Sequence, residues 1–409
     1  MKFLYLTNTR LPGEKAHAIQ IMQTCGALAA HVELQLVHCR RVNRPWLRTV
    51  RSLKTYYALP RDVPCRALPS LDLLTLMPRL GLRKMWAYRI AFLIQMLTYH
   101  LGLCLFLLRN HADVYYTRDS LTAALLLLTG LRRGGKVFFE SHGFPVSKLG
   151  VTLQHWLVSH IDGITVLTSL LAERYVTLGA KPEQVRVVAD AVDTELFRKR
   201  NKVSARQLLD IDQSAFVVMY VGQMYKWKGV ETLICAENRL SEDTQVWLVG
   251  GTPEELPRIE ELVLQAAPNR IKLSGYVRPT QVPWYMSSAD VLVLPNSGQE
   301  DISRYYTSPL KLFEYMASGR PIVASDLPAL REILAHDRNA LLVPPDDPDA
   351  LASAVLLIRS EPQLGQRLAD KAMQLVADYT WEKRAQRILE FIEYVSYNTP
   401  GPVQGVSAS

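Results

Sequence analysis

TSPLKLFEYMASGRPIVASD, residues 307–326, is the stretch that decides the fold. Thr307-Ser308-Pro309 is a turn, and the apolar spacing after it predicts a helix over 310–317. Gly319 suits the left-handed residue that ends a helix. Pro321 then opens a short apolar run, which predicts a buried strand at 322–324. A helix followed at once by a buried strand is one step of a parallel sheet. The free amides at such a helix start favour an anion. Glu314, about one turn in, can accept hydrogen bonds from paired sugar hydroxyls. Taken alone, the same residues also fit an ordinary surface helix with an acid near its start.

Outward from this window the pattern repeats. Strands are expected at 216–221, 245–249, 271–273, 291–294 and 340–343, with helices at 229–238, 259–266, 281–287 and 329–334. Helices at 349–359, 362–377 and 381–394 follow, and 399–409 (TPGPVQGVSAS) reads as a disordered tail. An earlier series has strands at 2–8, 32–38, 113–116, 136–140, 164–167 and 185–188. Its helices carry Ala18, Ile21, Met22, Cys25 and Leu28 on one face, then cover 121–128, 152–159 and 169–178. Alternating strands and helices imply parallel sheets with helices on both faces. Two series predict an α/β protein of two doubly wound, Rossmann-like domains, 1–195 and 196–380, with a helix at 381–396 packing back on the first and a tail at 397–409. Ligands bind such sheets at the carboxyl ends of the strands, so the cleft between the domains is the expected site.

A second window, MYVGQMYKWKGVETLI at 219–234, runs from a strand through Gly222 to a loop with Lys226 and Lys228. Such a loop cradles phosphate, with lysine as a compact point charge. It is no Walker loop, and no Gly-x-Gly-x-x-Gly occurs.

The 409 residues are 48% hydrophobic, which excludes a largely disordered chain, and the formal charge is +8. Residues 40–89 hold twelve bases and two acids, a local +10, so the rest of the chain carries −2. That local excess suits an anionic surface such as phospholipid or a lipid-linked diphosphate. Nucleic acid is not expected, because no nucleic-acid module pattern is present. The five cysteines are scattered, with no zinc spacing, which fits a reducing compartment. The start reads as a strand and not as a signal peptide. Residues 90–108 (IAFLIQMLTYHLGLCLFLL) have no formal charge. Their polar content favours a buried core helix over a membrane span, with partial immersion as a third reading.

Together these windows resemble the retaining nucleotide-sugar glycosyltransferases of family four, of glycosyltransferase-B fold. Residues 190–197 (DAVDTELF), 271–295 and 308–326 carry the likeness; 113–119 (DVYYTRD) and 15–21 (KAHAIQI) resemble bacterial exopolysaccharide and lipopolysaccharide members. The resemblance implies that Lys228 binds the donor diphosphate and Glu314 holds the donor ribose. It places Ser308, Pro309 and Leu310 beside phosphate and sugar, and Tyr276 and Val277 beside the base. Gly13 and Lys15 match the loop over the diphosphate, and His142 the histidine near the reacting sugar. In two places the chain departs from the pattern. Tyr306 stands where the family has its first glutamate, and Gln223 where it has a phosphate-binding arginine. Lys226, Arg304 or Lys311 is then expected to supply the missing charge, and Glu300 or Asp301 to serve the sugar.

The implied activity is transfer of a sugar from a nucleoside-diphosphate sugar to a glycan or lipid-linked acceptor with retention, in surface polysaccharide assembly. No metal and no other cofactor are expected. The alternative is a non-catalytic subunit that binds donor or membrane. The expected place is the cytoplasm, peripheral at the inner membrane face.

Overall fold

The computed structural model describes residues 1–398 apart from 76, 78–84 and 267–269. The expected tail at 399–409 lies outside the described residues. In the first domain a seven-stranded parallel sheet is formed by β1 (Lys2–Arg10), β2 (Glu33–Cys39), β3 (Cys65–Leu68), β4 (Val114–Thr117), β5 (Lys136–Ser141), β6 (Gly163–Val166) and β7 (Val185–Val187). Helices α1 (Ala16–Leu28), α2 (Leu53–Tyr57), α3 (Met85–Leu107), α4 (Ser120–Thr129), α5 (Lys148–Val158) and α6 (Ser169–Thr177) connect them. The order is β3-β2-β1-β4-β5-β6-β7.

The second domain opens with α7 (Lys202–Leu209). Its six strands are β8 (Phe216–Val221), β9 (Thr244–Val249), β10 (Ile271–Gly275), β11 (Val291–Leu294), β12 (Ile322–Ser325) and β13 (Leu341–Val343), in the order β10-β9-β8-β11-β12-β13. Its helices are α8 (Val230–Ala236), α9 (Leu256–Ala266), α10 (Val282–Ser288), α11 (Leu310–Ala317), α12 (Pro328–Arg331), α13 (Pro348–Ser360) and α14 (Pro362–Val376). The chain order reverses between β1 and β4 and between β8 and β11, the switch points where such sheets open a crevice.

The central strands are apolar on both faces because helices cover both. Phe3, Tyr5 and Leu6 in β1, and Val217 to Tyr220 in β8, are fully buried. The last helix, α15 (Trp381–Asn398), belongs to the first domain's core. Its Trp381, Ala385, Ile388, Phe391 and Ile392 pack with Phe3, Tyr5, Ile21 and Phe138.

The short helix α2 was not expected, and three further elements differ from the sequence expectation. β3 is an edge strand whose Cys65, Arg66 and Ala67 are exposed, so no apolar run announces it. α7 buries Arg206, whose Nη2 donates to Asp290 Oδ2 at 2.6 Å and whose other nitrogens bond backbone carbonyls. A buried arginine interrupts the apolar pattern that periodicity relies on.

The apolar helix is the third and largest difference. It starts at Met85 and is not the buried core helix expected. Ala87, Ala91, Gln95, Tyr99, Leu103 and Leu107 form one buried stripe, while Leu97 is 71% and Leu101 63% exposed. A stripe with a step of four covers only one side of the helix.

Candidate functional site

The two sheets point their carboxyl ends at one cleft of about 300 Å³. From the second domain come the turn after β8, the turn after β9, the loop after β10 and the start of α11. From the first come α1, Arg118 after β4 and His142 after β5.

Of the expected site residues, His142, Gln223, Lys228, Tyr276, Val277, Ser308, Pro309, Leu310, Lys311 and Glu314 all line this cleft. Gly13 and Lys15 do not. The Gly13 amide donates to the Tyr57 hydroxyl at 2.7 Å, and Lys15 is exposed on the rim just before α1. Their neighbour Glu14 reaches the cleft instead.

The charge is concentrated where β8 and α11 meet. Lys228 ends a short 3-10 turn, and Gly229 follows with φ +64°. A Cβ on Gly229 would stand 1.8 Å from the Pro295 carbonyl oxygen, so only glycine lets the chain turn here into α8. Lys228 is buried, with Nζ 3.8 Å from the centre of the Trp227 ring. Burial lowers its pKa to about 7. Lys311, in the first turn of α11, is also buried, with Nζ 3.7 Å from the centre of the Tyr220 ring. Burial, and then the nearby Lys228, hold its pKa well below the lysine range. Its Nζ has no hydrogen-bond partner among the described residues.

Gly222 lies against this ammonium. A Cβ built on it would be 3.1 Å from Lys311 Nζ. Just after β9, a Cβ on Gly250 would be 2.5 Å from the Gly222 carbonyl oxygen, to which the Gly251 amide donates at 3.2 Å. Two buried lysines, aromatic rings beneath them, glycine turns around them and a helix start suit a polyanion.

The other candidate cations fall away. Lys226 and Arg304 are exposed and outside the cleft, and Glu300 and Asp301 are likewise exposed rather than turned to a sugar. Arg304 lies in the π-helical turn Ile302–Tyr306, which Glu300 and Asp301 precede, and Tyr306 packs against the first domain's core. Of the three candidates only Lys311 lines the cleft, as Gln223 does. Glu314, one turn along α11, lines the cleft with its pKa raised to about 7 by burial, against the opposing pull of Lys311.

Opposite lies a buried polar network that the sequence does not announce. Glu140 Oε1 accepts from Gln20 Nε2 at 2.6 Å and from Arg384 Nη2 at 2.7 Å, and it also bonds the His142 ring. Tyr116 donates to Glu140 Oε2 at 2.7 Å. Burial pushes the Glu140 carboxyl up, but Arg384 and then His142 outweigh it and hold the group well below its usual range. Burial and the nearby Arg118 lower His142 to about 4, so its ring is neutral near neutrality. Asp190, between the domains, is buried with Oδ1 unpartnered among the described residues, and burial raises it to about 6. Arg384 is far along the chain, and only its packing brings it to Glu140. The Gly250-Gly251 pair directly after a strand was the available signal for that turn.

The cleft is bridged at its rim. Arg44 Nη1 pairs with Glu254 at 2.6 Å, and the Tyr56 and Tyr276 hydroxyls are 2.6 Å apart. Among the described residues no cluster of three His, Cys, Asp or Glu side chains gathers as for a metal.

Residues 215–360 match the family model described as glycosyl transferases group 1. The chain is 27% identical over 267 residues to a D-inositol 3-phosphate glycosyltransferase of Thermomonospora curvata, covering 60% of each protein. It is 29% identical over 238 residues to the lipopolysaccharide core biosynthesis glycosyltransferase LpsD of Rhizobium meliloti, covering 57% of this chain and 64% of that protein. The chain thus spans about three-fifths of the length of such relatives. Its fold is that of Anabaena HepE in complex with UDP-glucose, with a TM-score of 0.73, 16% identity, and 96% of this chain and 99% of that one covered. Sucrose-phosphate synthase of Thermosynechococcus elongatus superposes with a TM-score of 0.73 and 19% identity over 98% of this chain and all of its own. The architecture is the two-domain glycosyltransferase-B fold.

Proposed function

We propose that the protein is a glycosyltransferase that takes a sugar from a nucleoside-diphosphate donor and passes it to a glycan or lipid-linked acceptor with retention. The setting we propose is bacterial surface polysaccharide assembly on the cytoplasmic side. The observation that carries this reading is the pair of buried lysines, Lys228 and Lys311, at a helix start in the interdomain cleft with Glu314 beside them. Support comes from the group 1 domain and from a similarly folded protein in complex with UDP-glucose. The comparisons lend no support to a non-catalytic subunit.

The chemistry follows from the charges. Buried, unpaired ammonium groups are costly and are relieved by a diphosphate, which holds them protonated. As the bond between the anomeric carbon and the β-phosphate oxygen breaks, negative charge grows on that oxygen. Lys228, Lys311 and the first amides of α11 stabilise it, a preorganised electrostatic effect. Glu314 accepts the donor's ribose hydroxyls. The acceptor oxygen attacks the anomeric carbon from the leaving-group face, and its proton passes to the departing phosphate. Neutral His142, fixed by Glu140, serves the sugar as a hydrogen-bonding group. No divalent ion takes part in this scheme.

The test is titration of the purified chain with UDP, and with other nucleoside diphosphates in parallel. Removing a charge-assisted contact costs on the order of 1.5–3 kcal/mol, or roughly 10- to 100-fold in affinity. Lys228→Ala and Lys311→Ala should each weaken binding by that amount. Unchanged affinity in both, with the fold intact, would sink the assignment.

A further inference from the structure

We propose that the outer face of α3 seats on an anionic lipid bilayer, with the helix lying in the plane of the surface. Ile90, Leu93, Leu97, Leu101 and Leu105 are between 48% and 71% exposed on this one helix. Over its length α3 has one formal charge, Arg89. The apolar surface continues onto α4, whose Leu128 is 72% exposed and whose Thr122 hydroxyl lies 3.2 Å from His100 of α3. A continuous exposed apolar patch of this kind marks a surface that something covers.

The charge around the patch identifies the occupant. Arg89 is exposed near the start of α3. At its end Arg109 is exposed, and Arg133 donates from Nη2 to the Leu108 carbonyl at 2.7 Å. On the flank, the amide of exposed Leu71 donates to Thr98 at 3.0 Å, and the Ser70 hydroxyl beside it donates to the carbonyl of exposed Arg40 at 2.8 Å. An apolar face rimmed by bases matches a bilayer with anionic headgroups, as in interfacial helices. A second copy of this face would set like charges against each other.

The helix cannot cross the bilayer and keep this fold. Its inner stripe includes Gln95, fully buried, whose Nε2 donates to Asn8 Oδ1 at 2.8 Å. Tyr99, Leu103 and Leu107 are buried against Leu4, Leu6 and Val37 of the sheet. A span would strip one face from β1 and β2. Seated flat, the outer leucines leave water while the inner stripe stays in place.

The experiment is flotation of the full chain with vesicles of phosphatidylcholine alone and of phosphatidylcholine with an equal part of phosphatidylglycerol. Binding to the anionic vesicles is expected, weak binding to the neutral ones, and partial release by salt. Leu97→Glu with Leu101→Glu should lower binding at least about tenfold while melting temperature and elution volume stay unchanged. Arg89→Glu with Arg109→Glu, which leaves the apolar face whole, should remove the preference for phosphatidylglycerol. The proposal is overturned if the wild type floats with neither vesicle or if both variants bind as it does. It is equally overturned by release only in detergent, indifferent to headgroup, as a span gives. A vesicle-inert wild type that dimerises through the same leucines would assign the face to a second copy instead.

Discussion

At the scale of single residues, the site is governed by the cost of burying charge. Lys228 and Lys311 sit over aromatic rings rather than against carboxylates, and burial lowers both. Gln223, which brings no charge, shares the cleft with Lys311 of α11. At about pH 8, Lys228, with a pKa of about 7, is mostly neutral, and a bound diphosphate raises that pKa and draws a proton on. Glu314, also at about 7, is already mostly ionised there, so holding ribose as a carboxylate releases little. Binding of UDP at about pH 8 should therefore take up protons. Calorimetry in two buffers of different ionisation enthalpy reads the number. Net release, or an uptake unchanged in Lys228→Met, contradicts the placement of the lysine against phosphate.

At the scale of elements, α15 ties the end of the chain to the site. Arg384 is 1% exposed, donates to the Val188 carbonyl at 2.7 Å and to Glu140 at 2.7 Å, and so fixes the carboxylate that bonds His142. Breaking a buried pair by removing one partner costs about 3–5 kcal/mol, because the other charge is left without compensation. Arg384→Met should lower the midpoint of thermal unfolding accordingly, and Arg384→Met with Glu140→Gln should recover part of the loss. A double variant no more stable than the single one would mean that Arg384 acts through packing alone. Glu140's depressed pKa adds stability that is present above the ordinary carboxylate pKa. That stability is lost as pH falls through the folded value, so the difference between wild type and Arg384→Met should narrow in acid.

At the scale of the whole molecule, two sheets meet across one cleft, and the contacts between them are of two kinds. The rim contacts are small and polar, as between Arg44 and Glu254, between Tyr56 and Tyr276, and from the Thr168 hydroxyl to the Tyr305 carbonyl at 2.9 Å. The other kind is the crossing of the chain itself, which leaves the second domain and packs α15 broadly into the apolar core of the first. The first kind exchanges readily with water while the second does not, so opening of the cleft is expected to pivot near Val192 and Thr380, where the two crossing chains pair. The proposed scheme neutralises the diphosphate with lysines and uses no metal. Transfer, once a donor and acceptor are found, should survive excess EDTA; complete loss restored by magnesium would refute a lysine-based scheme.

Much of this protein is legible in its sequence. Buried parallel strands such as 216–221 and 291–294, and the helix at 310–317, have the bounds their apolar runs predict, because a strand covered on both faces must be apolar throughout. Lys228, Ser308 and Glu314 are legible because short turns between strand and helix fix where a side chain points. What the sequence by itself leaves open depends on contacts between distant segments. Arg384 reaching Glu140, Lys311 rather than Lys226 or Arg304 lining the cleft, and the exposure of Glu300 and Asp301 follow from how helices lie on sheets. The apolar run at 90–108 shows the same division. Its composition determines that α3 is a helix, but whether a leucine faces the core or water depends on which stripe the sheet covers. Covering is a property of packing, since the transfer of a side chain from water is decided by its neighbours in space.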